Sequence, residues 1–548
     1  MYCNKENINQ LTALLVSHGV KHAVVCPGSR NAPIVHNLNA CPNITCWGVT
    51  DERSAGFFAL GLRQSTGSKV AVCVTSGSAM LNLSPALIEA DYQYHGLIVI
   101  TADRPEAWIG QNDGQTMPQP GAFGQIVAAS VNIIEPQNDE QRWLNNRLLN
   151  EVLMINAGKG EPSVHINVPI SEPLFDFSVP ELPEERVINR PKQTVISQKS
   201  EGIMQRLMEA ERPIFVVGQM TSVPLWLPLK LADATVGAVV LSECIGAMAQ
   251  IPIEKTLKLI EKSQDVESFR PDLVIYCGGT LVSKRLKRFL RACDEAEFWE
   301  LSPDGKPHDT FQKLSVLLSD DDILPIVQAL SAKRNAADFV SKWYEKITQA
   351  QTFTRQFVPD YSQMLAVQMF ENQLSSQYKK PFAVHYANSN AVRLGNIYAT
   401  RHSFCNRGIN GIEGSLSTSA GFSAAFDGTT FCVCGDLSFF YDANSLWNNH
   451  LNGRFRVLLL NNSCGAIFRS LPGLEASDAA KTFVSGAHNT SARGICESYH
   501  AKYLHASNAE ELQMAMSEFI NVDSERPVVL EVFTDADQDN HAFEDYLK

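Results

Sequence analysis

Residues 430–436 read TFCVCGD, and residues 455–462 read FRVLLLNN. Each is a short, mainly apolar run that ends in residues which stop a strand and carry oxygen ligands. That pattern predicts two buried parallel strands. One crossover joins them, and right-handed crossover geometry places their carboxyl ends on the same side of a sheet. Asp436 and the amide oxygen of Asn462 then converge on one hard cation of the magnesium type, which takes a few oxygen ligands plus phosphate oxygens and water. Gly435 lets the backbone come close to a phosphate group. Taken singly, Gly-Asp and Asn-Asn are ordinary turn residues. The pair, each behind a strand, is what points to a metal.

The same grammar runs through the rest of the chain. HAVVCPG (22–28), KVAVCVTSG (69–77), GLIVITADRP (96–105), PIFVVGQ (213–219) and DLVIYCGG (272–279) alternate with helix-like stretches. This predicts an α/β protein of parallel sheets flanked by helices, with ligands at the carboxyl ends of strands. A proline-rich, charged stretch at 169–191 and a charged, helix-like one at 330–360 divide the 548 residues into three segments. The expected domains are 1–180, 192–335 and 345–548, each of ordinary domain size. Residues 54–90 and 419–448 share a small-residue helix, an apolar strand, a Gly-containing loop and a second helix. Duplication of one unit is the preferred reading; shared helix–strand grammar is the alternative.

Composition narrows the function. A net charge of −13 excludes bulk nucleic-acid binding. No apolar run approaches the roughly 20 residues of a membrane span, and MYCNKENINQ has no apolar leader core. A cytoplasmic protein without membrane insertion is expected. Thirteen cysteines, with no CxxC pair, read as reduced core residues, and thirteen dispersed histidines show no metal-binding spacing.

A second constellation is TDERSAGF at 50–57. On its own, Asp-Glu at a helix start caps free N–H groups and suits the helix dipole. Together with GDLSFFYDANSLW…LLLNNSCGAIF, however, it resembles the thiamine-diphosphate-dependent enzymes. The resemblance implies a three-domain fold of mainly parallel sheets, with a pyrimidine-binding first domain, a central domain and a diphosphate-binding third. Glu52 would be the catalytic carboxyl that touches the aminopyrimidine ring, its pKa raised by burial. Asp436, Asn462 and the Cys464 carbonyl would ligate Mg²⁺ (or Mn²⁺). Ser76, Gly77, Ser389, Gly411, Ile412, Gly435, Leu437, Ser438 and Ile467 would complete the cofactor site, with Ile412 bending the thiamine. Glu52 and Asp436 would come from opposite protomers, making a homodimer the minimum and a homotetramer the alternative.

Within that family the whole chain is most similar to the synthases of menaquinone biosynthesis that join 2-oxoglutarate to isochorismate. PGSRNAP (27–33), TADRP (101–105), SKRL (283–286) and NRGINGIEGSLST (406–418) carry this likeness. It implies decarboxylation of 2-oxoglutarate and addition of the remaining fragment to isochorismate. Arginine's planar fork suits such carboxylates, although surface salt bridges are the usual fate of arginine. By position, Arg393 and Arg407 would hold the succinyl carboxylate. Arg30, Arg104, Gln115 and Lys284 would face isochorismate, with Ser29 and Ser389 nearby; Arg285 would also bind substrate, and Phe468 and Leu471 would form an apolar wall. Gly114 departs from the family pattern, which has Asn there. Rival readings are an acetohydroxyacid synthase or simple decarboxylase, a nucleotide-dependent oxidoreductase (disfavoured by the absence of GxGxxG after a strand) and a catalytically dead relative.

Overall fold

A computed structural model describes residues 1–157, 160–188, 200–248, 251–471 and 473–548. Pro191 and the expected domain start at residue 192 lie outside the described residues. Three parallel sheets are present. The first contains β1 (Val20–Val25), β2 (Thr45–Gly48), β3 (Lys69–Val74), β4 (Ile98–Asp103), β5 (Ala129–Asn132) and β6 (Val164–Pro169), in the order β2-β1-β3-β4-β6-β5. The second contains β7 (Pro213–Val217), β8 (Val239–Ser242), β9 (Leu273–Cys277), β10 (Glu297–Ser302) and β11 (Leu314–Ser319), in the order β11-β10-β9-β7-β8. The third contains β12 (Phe382–Tyr386), β13 (Thr429–Gly435), β14 (Phe455–Asn461), β15 (Lys502–Ala506) and β16 (Val528–Phe533), in the order β12-β13-β14-β16-β15.

Burial on both faces explains the continuous apolar runs. Along β7, Ile214 and Val216 join one core while Phe215 and Val217 join another on the opposite face. The third sheet repeats the order of the first once β2 is set aside: β1-β3-β4-β6-β5 matches β12-β13-β14-β16-β15. Agreement in strand order as well as in sequence pattern supports duplication over chance likeness.

The chain divides into two compact units. One is Met1–Gln193 with Glu413–Thr430 and Asp442–Phe455; the other is Thr194–Ile412 with Phe431–Tyr441 and Arg456–Lys548. In the first, the helix Glu52–Thr66 packs against the helix Ser415–Ala425. Contact is close because glycines stand at the crossing. A Cβ added to Gly61 would collide with the Thr418 carbonyl, and one added to Gly421 with the Phe58 carbonyl. The start of the Ser415–Ala425 helix is held by buried Asp442, which accepts from Ser417 N and from Ser417 Oγ, both at 2.7 Å. Burial pushes the Asp442 carboxyl up to about 7, against the opposing pull of these hydrogen bonds and of Arg53.

No helix among the described residues is long and apolar enough to cross a membrane. None of the thirteen cysteines, all among the described residues, is in a disulfide, and all but Cys46 are buried.

Two outcomes are expected in unfolding experiments. Gly421→Ala should destabilise by about 1–3 kcal/mol, the cost of overpacking against a backbone that cannot withdraw. Gly202→Ala, in a helix with open space around that position, should be neutral or slightly stabilising. The raised pKa of Asp442 means that the folded chain keeps its proton up to about pH 7, whereas the unfolded chain loses it near the ordinary aspartate value. Its stabilising contribution is therefore full at low pH and is lost as pH rises through about 7. Asparagine reproduces the protonated form, so the melting temperature of wild type relative to Asp442→Asn should fall between pH 5 and pH 8.

Candidate active site

In the second unit, β13 delivers Gly435 and Asp436, and β14 delivers Asn461 and Asn462. Asp436 is 3% exposed. Its Oδ1 accepts from Leu437 N at 2.7 Å, and its Oδ2 accepts from Asn462 N at 3.1 Å. The strand ends thus meet as the crossover argument requires. Burial raises the Asp436 carboxyl's pKa, opposed by the Leu437 N–H and the nearby His488 ring, whose Nε2 lies 3.4 Å away.

Asn462 is oriented by a residue that the sequence did not single out. Its Nδ2 donates to Asp539 Oδ2 at 2.8 Å, which leaves Oδ1 free of any donor among the described residues. Asp539 also accepts from Gln363 N at 2.8 Å and from Thr534 Oγ1 at 2.9 Å. Ser463, immediately after, has φ +63°, a left-handed value uncommon outside glycine. The Cys464 carbonyl, which as a backbone acceptor has two lone pairs, accepts from Ala466 N at 3.0 Å. A Cβ on Gly435 would meet nothing within 4 Å, so the backbone borders open space. One buried carboxylate, one amide oxygen, carbonyls and room beside a glycine fit a hard divalent ion with a diphosphate. No cluster of three or more His, Cys, Asp or Glu capable of holding a metal occurs among the described residues.

Around this centre, Ser438 Oγ donates to the Ile412 carbonyl at 2.5 Å, tying the loop that carries Gly411 and Ile412 to the Asp436–Tyr441 helix. The Ile412 side chain is 41% exposed, as is Leu471, while Phe468 is 36% exposed. Leu437 and Ile467 are half-buried. Ser389, at the end of β12, has φ +69° and ψ −129°, backbone strain of the kind that collects at ligand sites.

Arg407 Nη1 donates to Asn388 Oδ1 at 3.0 Å, while its Nε is buried without a partner. Asn388 in turn donates to the Gly411 carbonyl at 2.7 Å. Arg393 is half-buried, and burial together with the Arg407 charge lowers its pKa. The Arg407 charge thus reaches Arg393, and like charges that act on each other favour a bound anion.

Arg285 behaves differently. Its Nε donates to Glu254 at 3.1 Å and its Nη1 to Glu261 at 2.6 Å. Lys284 is exposed beside it.

In the first unit, Asp51 is the helix cap, accepting from Ser54 N at 3.1 Å, and Glu52 opens the first turn. Asn444 fixes the cap by donating to Asp51 Oδ2 at 2.8 Å. Glu52 is half-buried, its Oε2 3.4 Å from Asn82 Nδ2.

Ser29 and Arg30 follow β1, and Ser76 and Gly77 follow β3, the adjacent strand in the sheet. The strand order reverses between these two, the usual place for a ligand crevice. Ser76 Oγ is buried without a partner, and Gly77 has φ +83° with the Gln115 backbone packed against it. Gln119, also missed from sequence, accepts from Gly77 N at 2.7 Å and donates to Asn167 Oδ1 at 2.9 Å.

Arg30 is 5% exposed and spends its guanidinium on the Ile170 carbonyl and Glu172, both at 2.9 Å. Arg104 donates to the Gly114 carbonyl at 3.2 Å and lies 3.5 Å from Asp113, with Nε buried and unpartnered. Ser29 and Gln115 are exposed.

Comparison with known proteins agrees with this geometry. Residues 8–123 match the thiamine pyrophosphate enzyme N-terminal TPP binding domain, 186–382 the middle domain of thiamine pyrophosphate enzymes, and 387–532 their C-terminal TPP binding domain. The chain is 42% identical to a 2-succinyl-5-enolpyruvyl-6-hydroxy-3-cyclohexene-1-carboxylate synthase of Bacteroides fragilis, over 100% of this chain and 99% of the relative. Proteins of the same name from Bacteroides thetaiotaomicron and Porphyromonas gingivalis are 41% and 33% identical, over 100% and 97% of this chain and 99% and 95% of theirs. With all three domain models matched and likeness running the length of the chain, the chain belongs to the 2-succinyl-5-enolpyruvyl-6-hydroxy-3-cyclohexene-1-carboxylate synthase family of thiamine pyrophosphate enzymes.

Proposed function

We propose that this chain decarboxylates 2-oxoglutarate and adds the remaining four-carbon fragment to isochorismate, giving 2-succinyl-5-enolpyruvyl-6-hydroxy-3-cyclohexene-1-carboxylate and CO₂ in menaquinone biosynthesis. The observation that carries the reading is Arg407, whose Nε is buried without a hydrogen-bond partner among the described residues and whose charge acts on Arg393, in the same unit as the Asp436–Asn462 cluster; the two cations suit the distal carboxylate of the donor acid. Thiamine diphosphate, when bound, supplies the nucleophilic carbon and the electron sink for loss of CO₂.

Asp436, Asn462 Oδ1 and the Cys464 carbonyl hold Mg²⁺ (or Mn²⁺), with Gly435 leaving space for the diphosphate. Glu52 presents a carboxyl to the aminopyrimidine ring and holds a proton there, acting as the acid–base group. Ser389, Gly411, Leu437, Ser438 and Ile467 line the cofactor, Ile412 presses against it, and Ser76 and Gly77 receive its pyrimidine end. Arg393 and Arg407 orient 2-oxoglutarate. Arg104, Gln115, Ser29 and Lys284 meet isochorismate, with Phe468 and Leu471 keeping water from the reacting carbon. Arg30, which donates to the Ile170 carbonyl and Glu172, joins them at isochorismate. Residues 1–180 act as the pyrimidine domain, 192–335 as the central domain and 345–548 as the diphosphate domain.

The working form is a homodimer at least. Exposure of Ile412, Phe468 and Leu471 in a single chain supports a site that a second protomer completes. Free cysteines throughout support a reducing, cytoplasmic setting.

CO₂ release from 2-oxoglutarate with thiamine diphosphate and Mg²⁺ tests the reaction. Strong stimulation by isochorismate, with the joined product seen by mass spectrometry, is expected; release indifferent to isochorismate would overturn the acceptor. Glu52→Gln should lower turnover roughly 10²–10⁴-fold, the usual loss for an acid–base group, and turnover within a few-fold of wild type would remove that role. Titration with Mn²⁺ tests the metal centre. Asp436→Ala should lose metal and thiamine diphosphate together. Asp539→Ala should weaken Mn²⁺ about 10–100-fold, the range for a residue that orients a ligand, with recovery in Asp539→Asn.

A further inference from the structure

The helix Lys284–Arg291, KRLKRFLR, sorts its five basic residues by face. Leu286 and Leu290 are buried. Arg285 is committed to Glu254 and Glu261, and Arg291 donates to the Thr310 carbonyl at 2.7 Å. Lys287 differs from both. It is half-buried, yet its ammonium forms no hydrogen bond or ion pair among the described residues. Burial lowers its pKa, and the Arg407 charge lowers it further; Arg291 and Lys284 act in the same direction, and only Glu243 opposes them.

The surrounding framework places this lysine with purpose. Glu243 is buried and accepts from Val282 N at 2.5 Å and Ser283 N at 2.6 Å, which fixes the first turn of the helix. Ser283 Oγ then caps the helix by accepting from Leu286 N at 3.0 Å. The residue after Glu243 reaches the third sheet's elements: Cys244 N donates to Asn396 Oδ1 at 3.0 Å, and the Cys244 carbonyl accepts from Ser403 N at 2.8 Å. Gln219 Nε2 adds a bond to the Cys405 carbonyl at 2.7 Å. Asn396 lies one turn beyond Arg393 on the helix Asn390–Tyr398, and Ser403 and Cys405 lead into Arg407. One short loop after β8 therefore pins the Lys287 helix, the Arg393 helix and the Arg407 loop to one another.

We propose that Lys287 is a further substrate-binding residue, completing with Arg393 and Arg407 a three-cation receptor for the distal carboxylate of the donor acid. Arg285 instead anchors the helix to Glu254 and Glu261. The inference rests on the reading of 2-oxoglutarate as donor. A flexible ammonium that feels the Arg407 charge, on a helix pinned through Glu243 and Cys244 to the Arg393 helix and the Arg407 loop, adds a point charge that adjusts to the carboxylate the two guanidiniums would orient.

The test compares wild type, Lys287→Ala, Lys287→Gln and, as a surface control on the same helix, Arg288→Ala. Removal of a charge-assisted hydrogen bond corresponds to roughly a 10–100-fold loss. Both Lys287 variants should raise KM for 2-oxoglutarate by about that factor, with kcat little changed and with 2-oxobutyrate, which lacks the distal carboxylate, used as by wild type. An unchanged KM, or equal losses on both acids, would overturn the proposal. Calorimetric binding of succinate separates it from the donor reading. Succinate affinity that falls in the Lys287 variants, in a protein whose wild type does not decarboxylate 2-oxoglutarate, would sink the donor and leave the receptor standing. Succinate affinity indifferent to Lys287 would sink the receptor.

Discussion

The crossing of the Glu52–Thr66 and Ser415–Ala425 helices is the constraint on which the first unit depends. Each helix offers a glycine to the other's backbone, so there is no side chain to bend aside and little freedom in the angle of approach. The consequences run directly to chemistry. Asp51, which caps the first helix, is held by Asn444, and Asp442 holds the start of the second. Glu52 therefore projects from a turn whose cap and packing are both fixed. In the proposed site, where one carboxyl would be aimed at one ring nitrogen, such fixity counts for more than the modest free energy of any one contact.

The second unit uses buried acids in the same structural way. Asp539 turns the Asn462 amide, and Glu243 secures the helix that carries Lys284 and Lys287. Burial pushes the Asp539 carboxyl up to about 6 and that of Glu243 to about 7, the cost of keeping acids away from water to hold backbone and amide groups. The cations are deployed in the opposite manner. Arg393 and Lys287 form no side-chain hydrogen bond or ion pair among the described residues, although Glu254 and Glu243 act on them at longer range, whereas Arg285 and Arg30 are committed to Glu254, Glu261 and Glu172. In a chain with net charge −13, a few cations thus stay outside close ion pairs.

Much of this was legible in the sequence because strand ends announce themselves. Apolar runs closing on Gly-Asp and Asn-Asn gave the sheet, the crossover and the meeting of Asp436 with Asn462. The likeness of 54–90 to 419–448 reappears as two sheets with one strand order and as two equivalent helices in contact. What escaped depends on which way a side chain faces. Lys284, Arg285 and Lys287 are indistinguishable as letters, and only the placement of Glu254 and Glu261 separates a saturated cation from an available one. His488, Gln119 and Asp539 come from segments distant in sequence and with no motif of their own. The capping reading of TDERSAGF proved to describe Asp51, while Glu52 at the first turn accepts from Asn82 at 3.4 Å.

The central claim is that Glu52 and Asp436 serve one reaction centre, contributed by two protomers. Subunit mixing tests it most directly. Glu52→Gln and Asp436→Ala chains, each inactive alone, are co-expressed and their hybrid dimers confirmed by native mass spectrometry. A hybrid carries one centre with both defects and one with neither, so activity should return to roughly a quarter of wild type under random pairing of symmetric dimers. Hybrids that form but remain as inactive as their parents would show that both residues act from the same chain.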